Sequence, residues 1–225
     1  MLFSRHKTEI PSPAEALPGR AERWFHLAER HLVLDAPVET DESNIPARYE
    51  VAIFGLGCFW GAEEVFWQMP GVWSTSVGYA GGSTPHPSYE EVCSGRTGHT
   101  EAVRVVYDPS RVAYADLVKA FYEFHDPTQG MRQGNDVGTQ YRSAIYTLSP
   151  EQDRVARELT SAYAPVLAER GYGPITTEIA PAPTYYYAED YHQQYLAKIP
   201  HGYRCHSATG VPMPWPVEGI ETKLG

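Results

Sequence analysis

Val51-Ala52-Ile53-Phe54-Gly55-Leu56-Gly57-Cys58-Phe59-Trp60-Gly61-Ala62-Glu63-Glu64-Val65-Phe66-Trp67-Gln68-Met69 reads as a strand, a glycine-rich corner and a helix. The apolar run Val51–Phe54 has the make-up of a buried strand, and the helical stretch ends before Pro70. Cys58 therefore sits at the corner, at or beside a helix N-terminus. Unpaired backbone N–H groups and the positive end of the helix dipole there stabilise a thiolate, which is the nucleophilic form. Gly57 and Gly61 keep side chains away from the sulfur, while Phe59 and Trp60 put an apolar wall beside it. The corner alone leaves two readings open: a reactive thiol, or the small buried hydrophobe that free cysteines often are.

The flanking sequence extends this unit. Tyr49–Phe54 is a first strand and Phe59–Met69 a first helix. Gly71–Tyr79 alternates as a second strand, and Thr100–Tyr107 as a third, with Ala102, Val103, Val105 and Val106. Tyr114–His125 has the apolar spacing of a second helix, and Ser143–Leu148 reads as a fourth strand. The order strand, helix, strand, strand, helix, strand predicts an α+β, two-layer ferredoxin-like sandwich. Its sheet would be mixed but mostly antiparallel, with right-handed crossovers placing both helices on one face. Ser149, Pro150 and Gln152 occupy N-cap, N1 and N3 of a further helix that runs to about Arg170. Ile175–Ile179 is a candidate edge strand, and Tyr185–Leu196 is aromatic and helical toward its end. Two long loops, Ala80–His99 and Asp126–Tyr141, are long enough to suggest function.

Residues 1–48 form an N-terminal extension rich in proline (Pro11, Pro13, Pro18, Pro37, Pro46), with a short helix expected around Ala21–His31 and no chemistry of its own. Residues 49–211 form the folded domain, and 212–225 an irregular C-terminal tail with Pro212, Pro214 and Pro216. A chain of 225 residues with 42% hydrophobic content can build a sizeable core. Its formal net charge of −10 argues against nucleic-acid binding through phosphates. No run reaches membrane-spanning length, and the start, Met1–Lys7, lacks the apolar core of a secretion signal, so the expectation is a cytoplasmic protein. With no apolar interface stripe, a monomer is expected. The three cysteines, Cys58, Cys93 and Cys205, include no close pair, and the histidines show no ligand spacing. A disulfide scaffold and a metal site are both disfavoured, and working thiols in a reducing compartment fit better.

Several residues outside the corner can do chemistry. Glu101 enters a strand, where burial would raise its pKa and suit it to general-acid work, unless it is an exposed edge or ion-pair residue. Asp136 reads as turn chemistry, and Tyr89 and Tyr141 as core packing. Cys205, on an irregular tail, either swings to a distant sulfur as a transient disulfide partner or is an idle surface thiol. Cys93 reads as a small packed hydrophobe.

Taken together, these segments resemble one family. Gly57-Cys58-Phe59-Trp60-Gly61 is similar to the GCFWG signature of peptide methionine sulfoxide reductase type A. So are Val77–Gly82, Tyr89–Gly95, Thr97–Val103, His125–Thr128, Gly134–Ser143 and His192–Leu196, in order, over about Glu50 to Val211. The resemblance implies a catalytic reductase domain that reduces the S epimer of methionine sulfoxide, free or in proteins. It implies Cys58 as nucleophile, Glu101 as proton donor to the sulfoxide oxygen, Tyr89 and Tyr141 as donors to that oxygen, and Asp136 as a positioning group. It further implies Phe59 and Trp60 around the methyl group, with Tyr203 in the substrate site. Cys205 would attack the Cys58 sulfenic acid, and thioredoxin or a dithiol, with no other cofactor, would reduce the disulfide.

The sequence departs from the family pattern in two places. Many members read Gly-Tyr-Cys before the resolving cysteine, whereas Arg204 here separates Tyr203 from Cys205. Many carry another cysteine further on, and Val211-Pro212-Met213-Pro214 has none, so a single-resolver cycle is expected. Two other classes compete with the reductase: a protein that binds oxidised methionine without turnover, and a thiol peroxidase. The pairing of an acid with a second thiol argues against the first, and an aromatic methyl pocket against the second.

Overall fold

The computed structural model describes residues 6–41, 43–205 and 207–224. Met1–Arg5, the greater part of the stretch read above for a secretion signal, lie outside the described residues. Strand β1 (Glu50–Leu56) is followed by α1 (Phe59–Trp67), β2 (Val72–Ala80), a short α2 (Tyr89–Cys93), β3 (Thr100–Tyr107) and α3 (Tyr114–Phe124). Next come the two-residue strands β4 (Arg132–Gln133) and β5 (Asp136–Val137), β6 (Ser143–Thr147), α4 (Pro150–Glu169), β7 (Glu178–Pro181), β8 (Tyr186–Tyr187) and α5 (Tyr195–Lys198). The main sheet has the order β7-β6-β1-β3-β2-β8. Its inner four strands, β6-β1-β3-β2, are all antiparallel, as the split βαββαβ unit requires. Only β7, parallel to β6, makes the sheet mixed.

Alternation along β1 divides the two faces. Ala52, Phe54 and Leu56 join the main core under the helices, whereas Ile53 belongs to a smaller cluster on the opposite face. Phe54 stacks on Phe66 of α1, with ring centroids 5.1 Å apart, and lies 5.5 Å from Phe121 of α3. Ser149 caps α4 by accepting from Gln152 N, with Pro150 at the start of the helix.

Two segments differ from their sequence-based expectations. No helix forms over Ala21–His31. Tertiary partners override local propensity there: Arg20 N donates to Pro85 O, Ala28 N to an Asp190 carboxylate oxygen, and a bridge joins Arg30 to Pro37. The edge strand lies at Glu178–Pro181 rather than Ile175–Ile179, because Thr176 N donates to Pro127 O and Gly130 N donates to the Thr176 hydroxyl. The C-terminal tail has no helix or strand among the described residues, but it is tied down. Met213 and Ile220 are buried, Met213 N donates to Glu123, and Lys223 N and Leu224 N donate to Asp116.

The extension is part of the packing. His31 inserts beside β2, between the sheet and α1. Its Nδ1 accepts from Val33 N and Leu34 N, so the proton resides on Nε2, which donates to the Thr75 hydroxyl at 2.8 Å. Thr75 in turn donates to the buried Glu63 carboxyl. Burial pushes the His31 pKa down to about 4, so the ring is neutral. His31→Ala is expected to destabilise the fold by about 1–3 kcal/mol, the cost of stranding buried polar partners. A denaturant titration showing an unchanged midpoint would remove His31 from the packing account.

Candidate active site

At the end of β1 the chain turns through Gly57, which has a φ of +91°. A β-carbon there would lie 2.7 Å from Gln133 Cγ, so the loop that carries Gln133 closes directly over the corner. Cys58 occupies the N-cap position of α1, partly buried. Phe59 N donates to Glu101 Oε2 at 2.9 Å. Glu101 enters on β3, paired across the ladder with Tyr79 of β2, and is only 1% exposed. Burial pushes its carboxyl up to about 8; the Phe59 N–H opposes this and Asp136 adds to it.

The thiol differs from its expectation. Helix-terminal N–H groups were expected to stabilise a thiolate, yet the Cys58 pKa is held well above the ordinary thiol value, first by burial and then by Glu101. The reason is a competition for donors. Glu101 takes the Phe59 N–H, and Trp60 N–H alone is left to favour the thiolate, too little to offset desolvation. Cys58 and Glu101 are therefore both protonated at neutral pH.

Two tyrosines face this pair. Tyr89 opens α2, which is fixed by a capping box between Ser88 and Glu91 and by Tyr89 N donating to Glu189. Tyr141 ends a 3₁₀ turn, Thr139–Tyr141. Burial and then Glu101 raise both phenol pKa values, and Tyr141 also feels Tyr89 and Asp136, so these groups share one region. Cys93 belongs to it as well. Its thiol interacts with the Tyr89 hydroxyl, and burial and Glu101 push it up to about 11.

The aromatic side is built from α1 and the segment after β8. Trp60 is stacked on Tyr195, with centroids 3.8 Å apart, and its Nε1 donates to His192 Nδ1 at 3.0 Å. Phe59 is more deeply placed, fully buried against Tyr79 and His192. Glu63, one turn beyond Phe59, accepts from Thr75, Gln194 N and Gln194 Nε2, and burial pushes it up to about 7. It braces Gln194, whose backbone is left-handed at φ +46°, and hence the neighbouring Tyr195. The sequence reading missed Glu63 and His192. Glu63 was detectable in principle, because a charged residue on the buried stripe Phe59-Ala62-Glu63-Phe66 must find partners.

The third side is the loop Asp126–Tyr141 and the tail. Tyr203 donates to Asp136 Oδ2 at 3.0 Å, and Asp136 acts electrostatically on both Cys58 and Glu101. Cys205 Sγ lies 3.5 Å from Gln133 O and 3.3 Å from the Ser207 hydroxyl, and Ser207 donates to the Gln133 side chain. Gln133 thus touches both the Cys58 corner and Cys205. The two sulfurs interact electrostatically. The segments that carry Cys58, Glu101, Tyr89, Tyr141, Asp136, Trp60, Tyr203 and Cys205 all meet here, with Phe59 behind them. An acid, an apolar wall and three thiols in one region suit thiol redox chemistry on a substrate oxygen that must be protonated to leave. Among the described residues no group of three or more His, Cys, Asp or Glu is placed to hold a metal ion, and no helix is long and apolar enough to cross a membrane.

Comparison with known proteins agrees with this chemistry. Residues 50–213 match the family model described as peptide methionine sulfoxide reductase. A peptide methionine sulfoxide reductase MsrA from Rhodospirillum centenum is 58% identical over 215 residues, covering 96% of both chains. The solved methionine sulfoxide reductase A of Corynebacterium diphtheriae superposes with a TM-score of 0.81 at 49% identity, covering 91% of this chain and 99% of that one. Mxr1 from Saccharomyces cerevisiae, solved in complex with Trx2, shares the fold at 20% identity, with a TM-score of 0.50 over 76% of this chain and 94% of that one.

Proposed function

The chain belongs to the peptide methionine sulfoxide reductase family and is a methionine sulfoxide reductase, and we propose that it acts on the S epimer, free or in proteins, with Cys58 as nucleophile, Glu101 as acid and Cys205 as resolving thiol. One observation carries this reading: a buried, neutral Glu101 is hydrogen-bonded to the amide next to Cys58. A sulfoxide oxygen leaves only when protonated, so attack by sulfur needs an acid that still holds its proton at neutral pH.

The proton balance follows from both groups being protonated at rest. Glu101 gives its proton to the sulfoxide oxygen as the Cys58 sulfur attacks the substrate sulfur, and the thiol proton restores Glu101. That attack forms a transient bond between the Cys58 sulfur and the substrate sulfur, which now carries a hydroxyl. The hydroxyl then passes to the Cys58 sulfur, so the substrate S–O bond and the transient S–S bond break as the Cys58 S–O bond forms. Substrate sulfur is reduced by two electrons to methionine, and Cys58 is oxidised by two to the sulfenic acid. Tyr89 and Tyr141, kept as phenols by burial and by Glu101, donate to the oxygen. Trp60, fixed by Tyr195 and His192, is the wall for the methyl group, with Phe59 supporting it from behind. An apolar methyl site discriminates by only about 1–3 kcal/mol. The oxygen donors therefore supply most of the choice between epimers. Asp136 holds Tyr203 at the rim.

Cys205 then attacks the Cys58 sulfenic acid, giving a disulfide and water, and a thioredoxin reduces the disulfide. The family resemblance and the Trx2 complex of the yeast relative make thioredoxin the reductant to test. The same reading takes the enzyme as a cytoplasmic monomer with no bound cofactor. The decisive assay follows both sulfoxide epimers with wild type and Cys205→Ser, each with dithiothreitol and with thioredoxin. Wild type is expected to consume only the S epimer with either reductant. Cys205→Ser is expected to keep the dithiothreitol cycle and lose at least about 10-fold of the thioredoxin cycle, since a resolving thiol within the chain has the advantage of proximity. A mutant that cycles like wild type with thioredoxin would remove Cys205 from the mechanism.

A further inference from the structure

Arg204, the residue that interrupts the family's Gly-Tyr-Cys pattern, has a built seat. Its Nε and Nη2 donate to the two carboxylate oxygens of Glu64, each at 2.7 Å. Its Nη1 donates to Pro200 O at 2.8 Å and reaches Gly202 O at 3.4 Å. One guanidinium therefore closes the turn at residues 200–202 and forks onto α1. The pair is sheltered, with side chains 29% and 23% exposed. Planar two-point pairing of this kind fixes direction as well as distance, which a lysine would not do.

The position of that seat relative to the chemistry is what matters. Glu64 follows Cys58 by six residues on the same short helix, about 9 Å along its axis. The residue after Arg204 is Cys205. The tail is held on both sides of Cys205: Tyr203, before it, donates to Asp136, and Ser207, after it, donates to Gln133, which packs on Gly57. Cys205 is thus threaded between anchors that all belong to the rim of the Cys58 site.

We propose that the Arg204–Glu64 pair is a latch that positions Cys205 for attack on the Cys58 sulfenic acid. The proposal rests on Cys205 being the resolving thiol. The step it serves forms the Cys58–Cys205 S–S bond and breaks the Cys58 S–O bond. The Cys205 thiol hydrogen and the sulfenic hydroxyl leave as water, so no outside oxidant or reductant enters. A disulfide requires the two Cα atoms to come within about 4.4–6.8 Å. An anchor one residue away keeps Cys205 in the neighbourhood of the Cys58 corner, where the two sulfurs already interact, and so raises its effective concentration there. Arg204 is a positioning residue here and touches neither substrate nor the reacting atoms.

The test is a single turnover on methionine S-sulfoxide without added reductant, following methionine release and the Cys58–Cys205 disulfide by mass spectrometry in quenched samples. Wild type, Arg204→Gln, Glu64→Gln and the double variant are compared at low and high salt. The expected result is unchanged methionine release in all four, with disulfide formation slowed about 10-fold in each single variant. The double variant is expected to be no slower than either single one, because both remove the same pair. High salt is expected to slow wild type and leave the variants unaffected. Disulfide formation in Arg204→Gln at the wild-type rate, or additive losses in the double variant, would overturn the latch while leaving Cys205 as resolver. Absence of any Cys58–Cys205 disulfide in wild type would overturn both.

Discussion

Glu101→Gln is expected to lower kcat/KM for methionine S-sulfoxide by about 10²–10⁴-fold, the usual contribution of a positioned general acid. Glutamine keeps the shape of the side chain and an acceptor for the Phe59 N–H, so the corner should stay in place. The pH profile separates loss of the acid from loss of packing. Burial pushes Glu101 up to about 8, so its acid form is present below that value and lost above it. Wild-type activity is expected to fall as pH rises through about 8, and the glutamine variant to lack that limb. The stability contribution has the same sign. A carboxyl raised in the folded state favours folding at low pH, and that contribution is lost as pH rises from the ordinary glutamate range through about 8. If the alkaline limb persisted in Glu101→Gln, the ionisation would belong to another group and the acid assignment would fail.

Cys58→Ser is expected to abolish turnover with every reductant, a loss of about 10⁴-fold or more, because Cys58 is the thiol beside the amide that binds the Glu101 acid. A serine hydroxyl is a far weaker nucleophile than sulfur and has no sulfenic state to hand on to Cys205. The measurement is methionine formation together with the mass of the protein after exposure to substrate. Wild type is expected to gain the disulfide, and the serine variant to be unchanged. Residual turnover within about 10-fold of wild type would move the nucleophile elsewhere. Cys93, the other thiol under the influence of Glu101, would then be the first candidate.

The first prediction depends on a protonation state that a linear reading offered only as one of two alternatives. The strand–glycine–helix corner was legible because it is local: apolar runs, glycines and Pro70 mark its parts within about twenty residues. Glu101 was legible as a carboxyl entering a strand. That Cys58 stays a thiol was not, because it depends on Glu101, forty-three residues later, taking the Phe59 N–H. Arg204 looked like an interruption that shifted Cys205, and its partner lies on α1, far away in the chain. The missing helix at Ala21–His31 has the same origin, since His31, Arg20 and Ala28 answer to partners on β2, the Ala80–His99 loop and the segment after β8.

What the sequence determined by itself is the succession of elements and the chemical kinds present: a βαββαβ order, one thiol at a helix start, an acid at a strand start, tyrosines in loops and a second thiol in the tail. Side-chain period and turn chemistry act over a few residues, so these features are written locally. Only the tertiary structure decided which of them meet and in what charge state. Desolvation and hydrogen-bond competition are properties of the assembled site, and they make Glu101 an acid, keep Cys58 a thiol and seat Arg204 on Glu64.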